Sequence, residues 1–389
     1  MSVASMNMNM ETNTKLAAEG GADAEVQQML VDSARRWSER ACSAEHRAAA
    51  SNHETGCPPE RWQELGEMGW LGIAVPEADG GLGAGLPELC LLAEQLGRAL
   101  LVEPFVSGVV LGTGLLACAA EGALRETWLP TLVSGEKRVA WAAWEDDGSA
   151  TLGPPSALAS RDGDAWRISG AKGLMPGAGG ADAVLVSARL GEAASRMGLF
   201  LVEAHDSGLT LANQRLYDGR HAASAQLERA AGVLLREGPT AEMLALLNQS
   251  LDQGRVAHFA ETLGAAQTAF DITLEYVRTR RQFGRALGQN QVVQHRLVDL
   301  YVELQETRAL CLAAAARPTA RQVAALGIRA GQVVRHTWEE AIQLHGAIGM
   351  TEEYVLGEYV RRLALAADLY GSEPDHGERL ASLTLEVST

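Results

Sequence analysis

The chain has no long uninterrupted apolar run. Its longest, Phe105 to Ala120, is broken by Ser107, Gly108, Gly112 and Gly114. A bilayer-spanning helix needs about 20 predominantly apolar residues, so this run reads as a buried helix. Positive charge is also scarce. The 389 residues hold 33 Lys and Arg against 49 Asp and Glu, a net charge of −16. Nucleic acid and anionic membranes recruit Lys and Arg, so neither is expected as a partner. An anionic small ligand would need a local cluster of arginines. Cysteine is sparse: Cys42, Cys57, Cys90, Cys118 and Cys311 form no CxxC pair, and an odd count suits a reducing compartment better than a disulfide framework. The nine histidines contain no HExxH, and no metal site is expected. A GxGxxG is absent too, which argues against a nicotinamide-binding domain. Residues 1–24 are rich in Met, Asn and Ala without an apolar stretch, and read as a disordered tail rather than a signal peptide. With no export signal, the cytoplasm is the expected location.

What is present falls into three grammars. Residues 25–137 read as helical. Gln27–Ala41 has apolar residues at helical spacing, and Val75-Pro76-Glu77-Ala78-Asp79-Gly80-Gly81-Leu82-Gly83 must be a turn. From Arg138 to about residue 238 the apolar runs become short and bounded by Gly, Asp and Pro: Val139–Trp144, Trp166–Ser169, Ala183–Ala188 and Met197–Val202. These are strands, with Asp162-Gly163-Asp164 as a hairpin signal. Residues 239–389 are helical again. Proline occurs there only at 239, 318 and 374. Each costs about 3 kcal/mol inside a helix, so these positions mark boundaries. Helices, strands, then helices predict an α+β multidomain chain: an N-terminal helical domain, a middle β-barrel-like domain and a C-terminal domain of the four-helix-bundle type.

Two C-terminal stretches carry a resemblance. Arg278-Thr279-Arg280-Arg281-Gln282-Phe283-Gly284, followed by Gln291, resembles the R-x-Q-F-G motif of the flavin-dependent acyl-CoA dehydrogenases. Gln343-Leu344-His345-Gly346-Ala347-Ile348-Gly349, followed by Arg361, is similar to that family's Q-x-x-G-G-x-G. Trp70-Leu71-Gly72, Val75-Pro76-Glu77, Gly80-Gly81-Leu82-Gly83 and Ser169-Gly170-Ala171-Lys172 match in order over residues 25–385. The resemblance implies FAD as cofactor, held by Arg280, Gln282, Phe283, Gln291, Gln343 and Gly346, with the two stretches meeting across a subunit boundary. It also implies an acyl-CoA thioester as substrate, Arg255 near that substrate, and an electron acceptor such as an electron-transfer flavoprotein. The physics is compatible. Arginine pairs with phosphate oxygens in a fork, and glycine lets backbone approach a bulky phosphate. Taken singly, an Arg cluster on a helix is more often a solvated face, and Arg255 could be a surface ion pair.

The sequence departs where the chemistry sits. Dehydrogenation needs a carboxylate to take the α-proton, a role worth about 10²–10⁴-fold. The family's I-Y-E-G-T corresponds here to Asp368-Leu369-Tyr370-Gly371-Ser372, which lacks the Glu between Tyr and Gly. The alternative site for the base, just before the matched Arg255, is Gly254. Asp368, Glu373 and Asp375 are nearby but read as solvated charges, and Glu261 is two turns from Gly254. Trp144 stands where a flavin-contacting Thr is expected, and Leu174 where many members carry Trp. Three readings follow. The first is a flavoprotein subunit whose homologous partner, in a homo- or hetero-oligomer, supplies the base. The second is a non-catalytic interaction subunit. The third is an oxidase or monooxygenase on the same fold.

Overall fold

The computed structural model describes residues 21–145, 152–191, 195–282, 284–351 and 354–385. The chain begins with α1 (Gly21–Ala41) and α2 (Ala44–Asn52). Ser43 caps α2, its Oγ accepting from the His46 amide at 3.2 Å. Pro59 opens α3 (Pro59–Glu67), where a missing N–H costs nothing. The Gly-rich turn expected after Val75 leads into α4 (Leu86–Arg98), whose Glu88 carboxylate accepts from the Gly85 amide at 3.0 Å. The apolar run is helical and buried, as a π-helical stretch Val106–Thr113 followed by α5 (Gly114–Ala119); α6 (Gly122–Val133) closes the region. Gly112 is needed there. A Cβ on it would lie 2.2 Å from the Val139 carbonyl, so only glycine lets the π-helical stretch and the first strand touch.

Seven strands follow: β1 (Val139–Ala142), β2 (Leu158–Asp162), β3 (Ala165–Pro176), β4 (Ala183–Leu190), β5 (Arg196–Glu203), β6 (Leu209–Arg215) and β7 (His221–Pro239). Pairings run β4–β2–β3–β7–β5 and return from β5 to β4, which closes a barrel-like ring; β1 joins β4 in parallel and β6 joins β7. The hairpin at Asp162 forms as the sequence signals, with Asp162 opposite Ala165 and Gly163 at φ 62°. The β6–β7 hairpin also turns at an Asp-Gly pair, Asp218-Gly219, with Gly219 at φ 91°, but the strands on either side of it are poor in apolar residues of strand type. β7 places Ala223, Ala225 and Ala230 inward, small residues of low strand propensity that the barrel interior selects by space.

The last part is helical: α7 (Thr240–Thr279), a short hairpin of β8 (Arg281–Gln282) and β9 (Arg285–Ala286), then α8 (Gln291–Ala316), α9 (Ala320–His345), α10 (Leu356–Ala366) and α11 (Glu373–Leu385). Pro239 caps α7, Pro318 separates α8 from α9, and Pro374 sits in the first turn of α11. The order helices, strands, helices is the one the periodicity predicts. α7 packs against α4, α8, α9 and α10 and carries the shared core of both helical regions. Among the described residues no helix is long and apolar enough to cross a membrane.

Candidate functional site

The two motif stretches come together at one end of the helical bundle, within a single chain. The last turns of α7 and α9 lie side by side there. Tyr276 stacks on His345 with ring centroids 4.2 Å apart, and its hydroxyl donates to the His345 carbonyl at 3.4 Å. Arg280 follows Tyr276 by one turn, its amide donating to the Tyr276 carbonyl at 2.8 Å. Gly346 ends α9 with φ 63°, a conformation natural to glycine. Within one copy, then, helix packing already sets the ends of the two stretches beside each other.

Arg280, Gln282, Gln291, Gln343 and Gly346 are all exposed on this end; Phe283 lies outside the described residues. Among the described residues, no carboxylate comes within ion-pair distance of Arg278, Arg280, Arg281 or Arg285. Four exposed arginines within eight positions, on a chain of net charge −16, offer the kind of group that pairs with phosphate oxygens. The residues present thus fit the nucleotide half of FAD.

The ring half is different. Trp144 is half-buried against Tyr370, ring centroids 5.5 Å apart, and its carbonyl accepts from the Gly173 amide at 3.0 Å. Lys172, from the Ser169-Gly170-Ala171-Lys172 match, is fully buried and bonds Glu145, with Ser187 Oγ at 3.3 Å. Burial holds its ammonium below the usual lysine range, against the pull of Glu145. This lysine pins the loop that carries Trp144. Leu174 lies at the surface.

At the junction of the three regions the structure is closed. The cavity there measures about 20 Å³, roughly the room one water needs. Phe105, Gly177, Arg220, His258, Glu261 and Tyr370 line it. Tyr370 is the residue immediately before Gly371, and its ring turns inward to meet His258 edge-on, centroids 5.0 Å apart. The position that precedes the glycine is thus filled by a tyrosine, where the sequence alone read as a missing Glu. Burial pushes its phenol above the ordinary tyrosine value, so it stays neutral at physiological pH and cannot take a proton there. Tyr370 has φ 64°, strained for a non-glycine residue, with Gly371 at φ 116° completing the turn.

Charges fill what remains. Asp218, in the β6–β7 turn, receives Arg220 Nε at 2.6 Å and Arg362 Nε at 2.9 Å on the same oxygen, and Arg220 Nη1 reaches Glu261 Oε2 at 3.3 Å. Burial opposes the Asp218 charge, yet Arg220 and Arg362 hold its carboxyl below the usual range. The two arginines diverge. Arg220 is raised, because Asp218 and Glu261 outweigh its burial; Arg362 is lowered by burial and by Arg220, with less compensation from Asp218. His258 donates through Nε2 to the Ala366 carbonyl at 2.9 Å, which leaves Nδ1 as a bare acceptor. Burial drops its pKa to about 3, so the 3.9 Å approach to Glu261 is not an ion pair at neutral pH.

Neither expected position for a carboxylate is usable. Gly254 packs so tightly that a Cβ would fall 2.2 Å from Leu111 Cδ2. Arg255 is buried, not a surface pair: its Nη1 bonds Asp252 at 3.1 Å and its Nε the Tyr370 carbonyl at 2.9 Å, so it braces the tyrosine turn. Asp252 also takes both guanidinium nitrogens of Arg379 at 2.6 Å. Asp368 is exposed, Glu373 accepts from Gln332 on α9 at 2.8 Å, and Asp375 locks the Ser372 turn, accepting from its amide at 2.8 Å and its hydroxyl at 2.6 Å. Sequence reasoning missed Asp218, Arg220, Arg362 and His258. The available signal was polar residues set inside apolar helical stretches: His258 and Glu261 within Leu251–Phe270, and Arg362 beside Leu363.

Comparison with known proteins agrees with this geometry. Residues 24–136 match the model of the acyl-CoA dehydrogenase N-terminal domain, and residues 244–374 that of the acyl-CoA dehydrogenase C-terminal domain. The probable acyl-CoA dehydrogenase YngJ of Bacillus subtilis is 29% identical over 354 residues, covering 86% of this chain and 90% of that protein. A variant of the Tcur3481-Tcur3483 steroid ACAD superposes with a TM-score of 0.83 at 31% identity, over 94% of this chain and 99% of that one. The ChsE4-ChsE5 complex from Mycobacterium tuberculosis gives 0.82 at 25% identity, over 94% and 97%. With matched helical domains on both sides of the barrel, and the two motif stretches gathered on one bundle end, this chain belongs to the acyl-CoA dehydrogenase family.

Proposed function

We propose that this chain is an FAD-binding subunit of an acyl-CoA dehydrogenase-type oxidoreductase that works on a CoA thioester beside a homologous subunit supplying the catalytic base. One observation carries the reading. The nucleotide end keeps its arginines and glutamines exposed and unpaired, while the position before Gly371 holds an inward, neutral Tyr370 instead of a carboxylate. Arg280 would hold the pyrophosphate, with Gln282, Gln291, Gln343 and the backbone at Gly346 arranged around the nucleotide. FAD held there would supply an acceptor for a hydride equivalent from the thioester's β-carbon. This chain's own residues orient the nucleotide and exclude water from the closed junction. They offer no base, since Gly254 has no side chain and no room for one.

Two solved structures of similar fold bear two-chain names, the Tcur3481-Tcur3483 steroid ACAD and the ChsE4-ChsE5 complex, which supports a paired assembly and a bulky thioester such as a sterol side chain. An electron-transfer flavoprotein is the expected acceptor, and the reduced cysteines suit the cytoplasm.

The test is expression alone and with a homologous chain that has the Glu, followed by an absorbance scan and acyl-CoA turnover. Flavin and activity should appear in the complex, and the isolated chain should turn over at least 10²-fold more slowly, the lower limit for a lost base. Robust turnover by the isolated chain would sink the partner-base reading. A complex without yellow colour would favour a purely structural subunit, which Trp144 and Leu174 on the ring side would then explain.

A further inference from the structure

A groove of about 470 Å³ opens where α2, the segment around Leu100, the β6–β7 turn and α10 meet. That is within the range of small-molecule sites. It lies away from the exposed arginines of the nucleotide end and on the far side of Val102 and Leu216, which wall both this groove and the closed cavity at Tyr370.

Its charges do not balance. Arg47 is neutralised by Glu358 through a two-pronged pair at 2.8 and 2.9 Å. Arg215 bonds only the amide oxygen of Asn52, at 2.8 Å, and Arg361 has no ion pair among the described residues. Arg362 is 3% exposed, yet its Nη1 has no partner, and its Nε lies 2.9 Å from Asp218 without the alignment of a hydrogen bond. Asp218 is already shared with Arg220. Two uncompensated guanidinium groups and a third left short of acceptors thus face one concavity on an acidic chain. An orphaned buried donor costs about 1–3 kcal/mol and persists where an acceptor arrives from outside. The remaining floor is apolar, from Leu100 and Val102, with the Tyr217 ring 56% exposed at the rim.

We propose that this groove binds a small phosphate monoester, its dianion held by Arg361 and Arg215 with the edge of Arg362, and its organic part resting on Val102, Leu100 and Tyr217. A dianion matches two spare cations where a carboxylate leaves one uncompensated, and the guanidinium fork suits phosphate oxygens. None of Arg278, Arg280, Arg281 and Arg285 lines this groove, so its occupancy is separable from that of the Arg280 end.

Titration calorimetry of the full chain with phenyl phosphate, inorganic phosphate and benzoate tests it. Phenyl phosphate binds, inorganic phosphate competes with it, and benzoate binds at least tenfold more weakly. Arg361→Ala and Arg215→Ala each weaken phenyl phosphate about tenfold, the scale of one charge-assisted contact, and Arg280→Ala leaves its affinity unchanged. Arg215 is exposed, so its variant folds as wild type, which circular dichroism verifies. No binding at about 10 mM phenyl phosphate, weaker than any affinity worth 4 kcal/mol, overturns the proposal. So does equal binding of benzoate, or loss on Arg280→Ala with retention in both groove variants.

Discussion

The two ends of this molecule's charge distribution make opposite use of arginine. At the nucleotide end, Arg278, Arg280, Arg281 and Arg285 stand in water without carboxylate partners. At the three-way junction, Arg220 and Arg362 are buried around Asp218, and Glu261 completes the set. An exposed guanidinium keeps its hydration, costs little, and stays available for a ligand. A buried one is tolerable only with partners in place. The first region is therefore open to a ligand, while the second is filled by the protein's own side chains.

Four experiments sharpen or break that contrast. Asp218→Asn removes the carboxylate shared by two buried arginines. It should cost about 3–5 kcal/mol, read as a lower denaturant midpoint with unchanged slope. A loss under about 1 kcal/mol, the range of surface pairs, would mean the junction is wetter than its geometry implies.

Gly254→Ala drives a Cβ toward Leu111. It should destabilise by about 1–3 kcal/mol through overpacking. A neutral result would show that the π-helical stretch yields, and would reopen Gly254 as a place to build a carboxylate.

The third concerns pH. His258 and His376 are held neutral by burial, with pKa values of about 3 and about 4. The unfolded chain takes up their protons near pH 6.5 while the native state does not, so stability falls as pH drops below 6.5. The loss continues until each folded pKa is reached, with a slope of up to about 1.4 kcal/mol per pH unit for each histidine. Asp218, depressed in the native state, adds to the acid loss only below its unfolded value of about 3.9. Equilibrium unfolding of wild type and His258→Gln between pH 7 and 5 should show a shallower slope in the variant. Equal slopes would place His258 in solvent.

The smallest effect on stability belongs to Arg280→Ala, expected within about 0.5 kcal/mol of wild type because the side chain is exposed. Its consequence is functional: FAD should no longer co-purify with the complex. Retention of flavin at the wild-type ratio would remove Arg280 from the pyrophosphate cradle.

Much of the architecture was legible from short-range pattern. The break at Arg138, the hairpin at Asp162-Gly163-Asp164 and the prolines at 239, 318 and 374 each act through neighbouring backbone, and each falls at or beside an element boundary. β7 escaped because its inward face is mostly alanine, at Ala223, Ala225 and Ala230, which carries no strand signal until the barrel closes around it, and β6 because it turns in only Leu209 and Leu211. At the site, Arg280, Gln343 and Gly346 were legible as a motif, but their adjacency in one chain was not, since the Tyr276–His345 stack joins residues 69 positions apart.

Residue type and local period alone set the succession of helices, strands and helices, the family and the absence of a carboxylate before Gly371. These depend on residue type and on periods of two or 3.6 residues, which are local quantities. Only the tertiary structure decided which charges are committed. Asp218, Arg220, Glu261 and Arg362 read along the chain as ordinary surface residues, and they become a buried network because β7, α7 and α10 converge on the β6–β7 turn. Burial sets the worth of a charge, and burial is a property of what the fold brings near it.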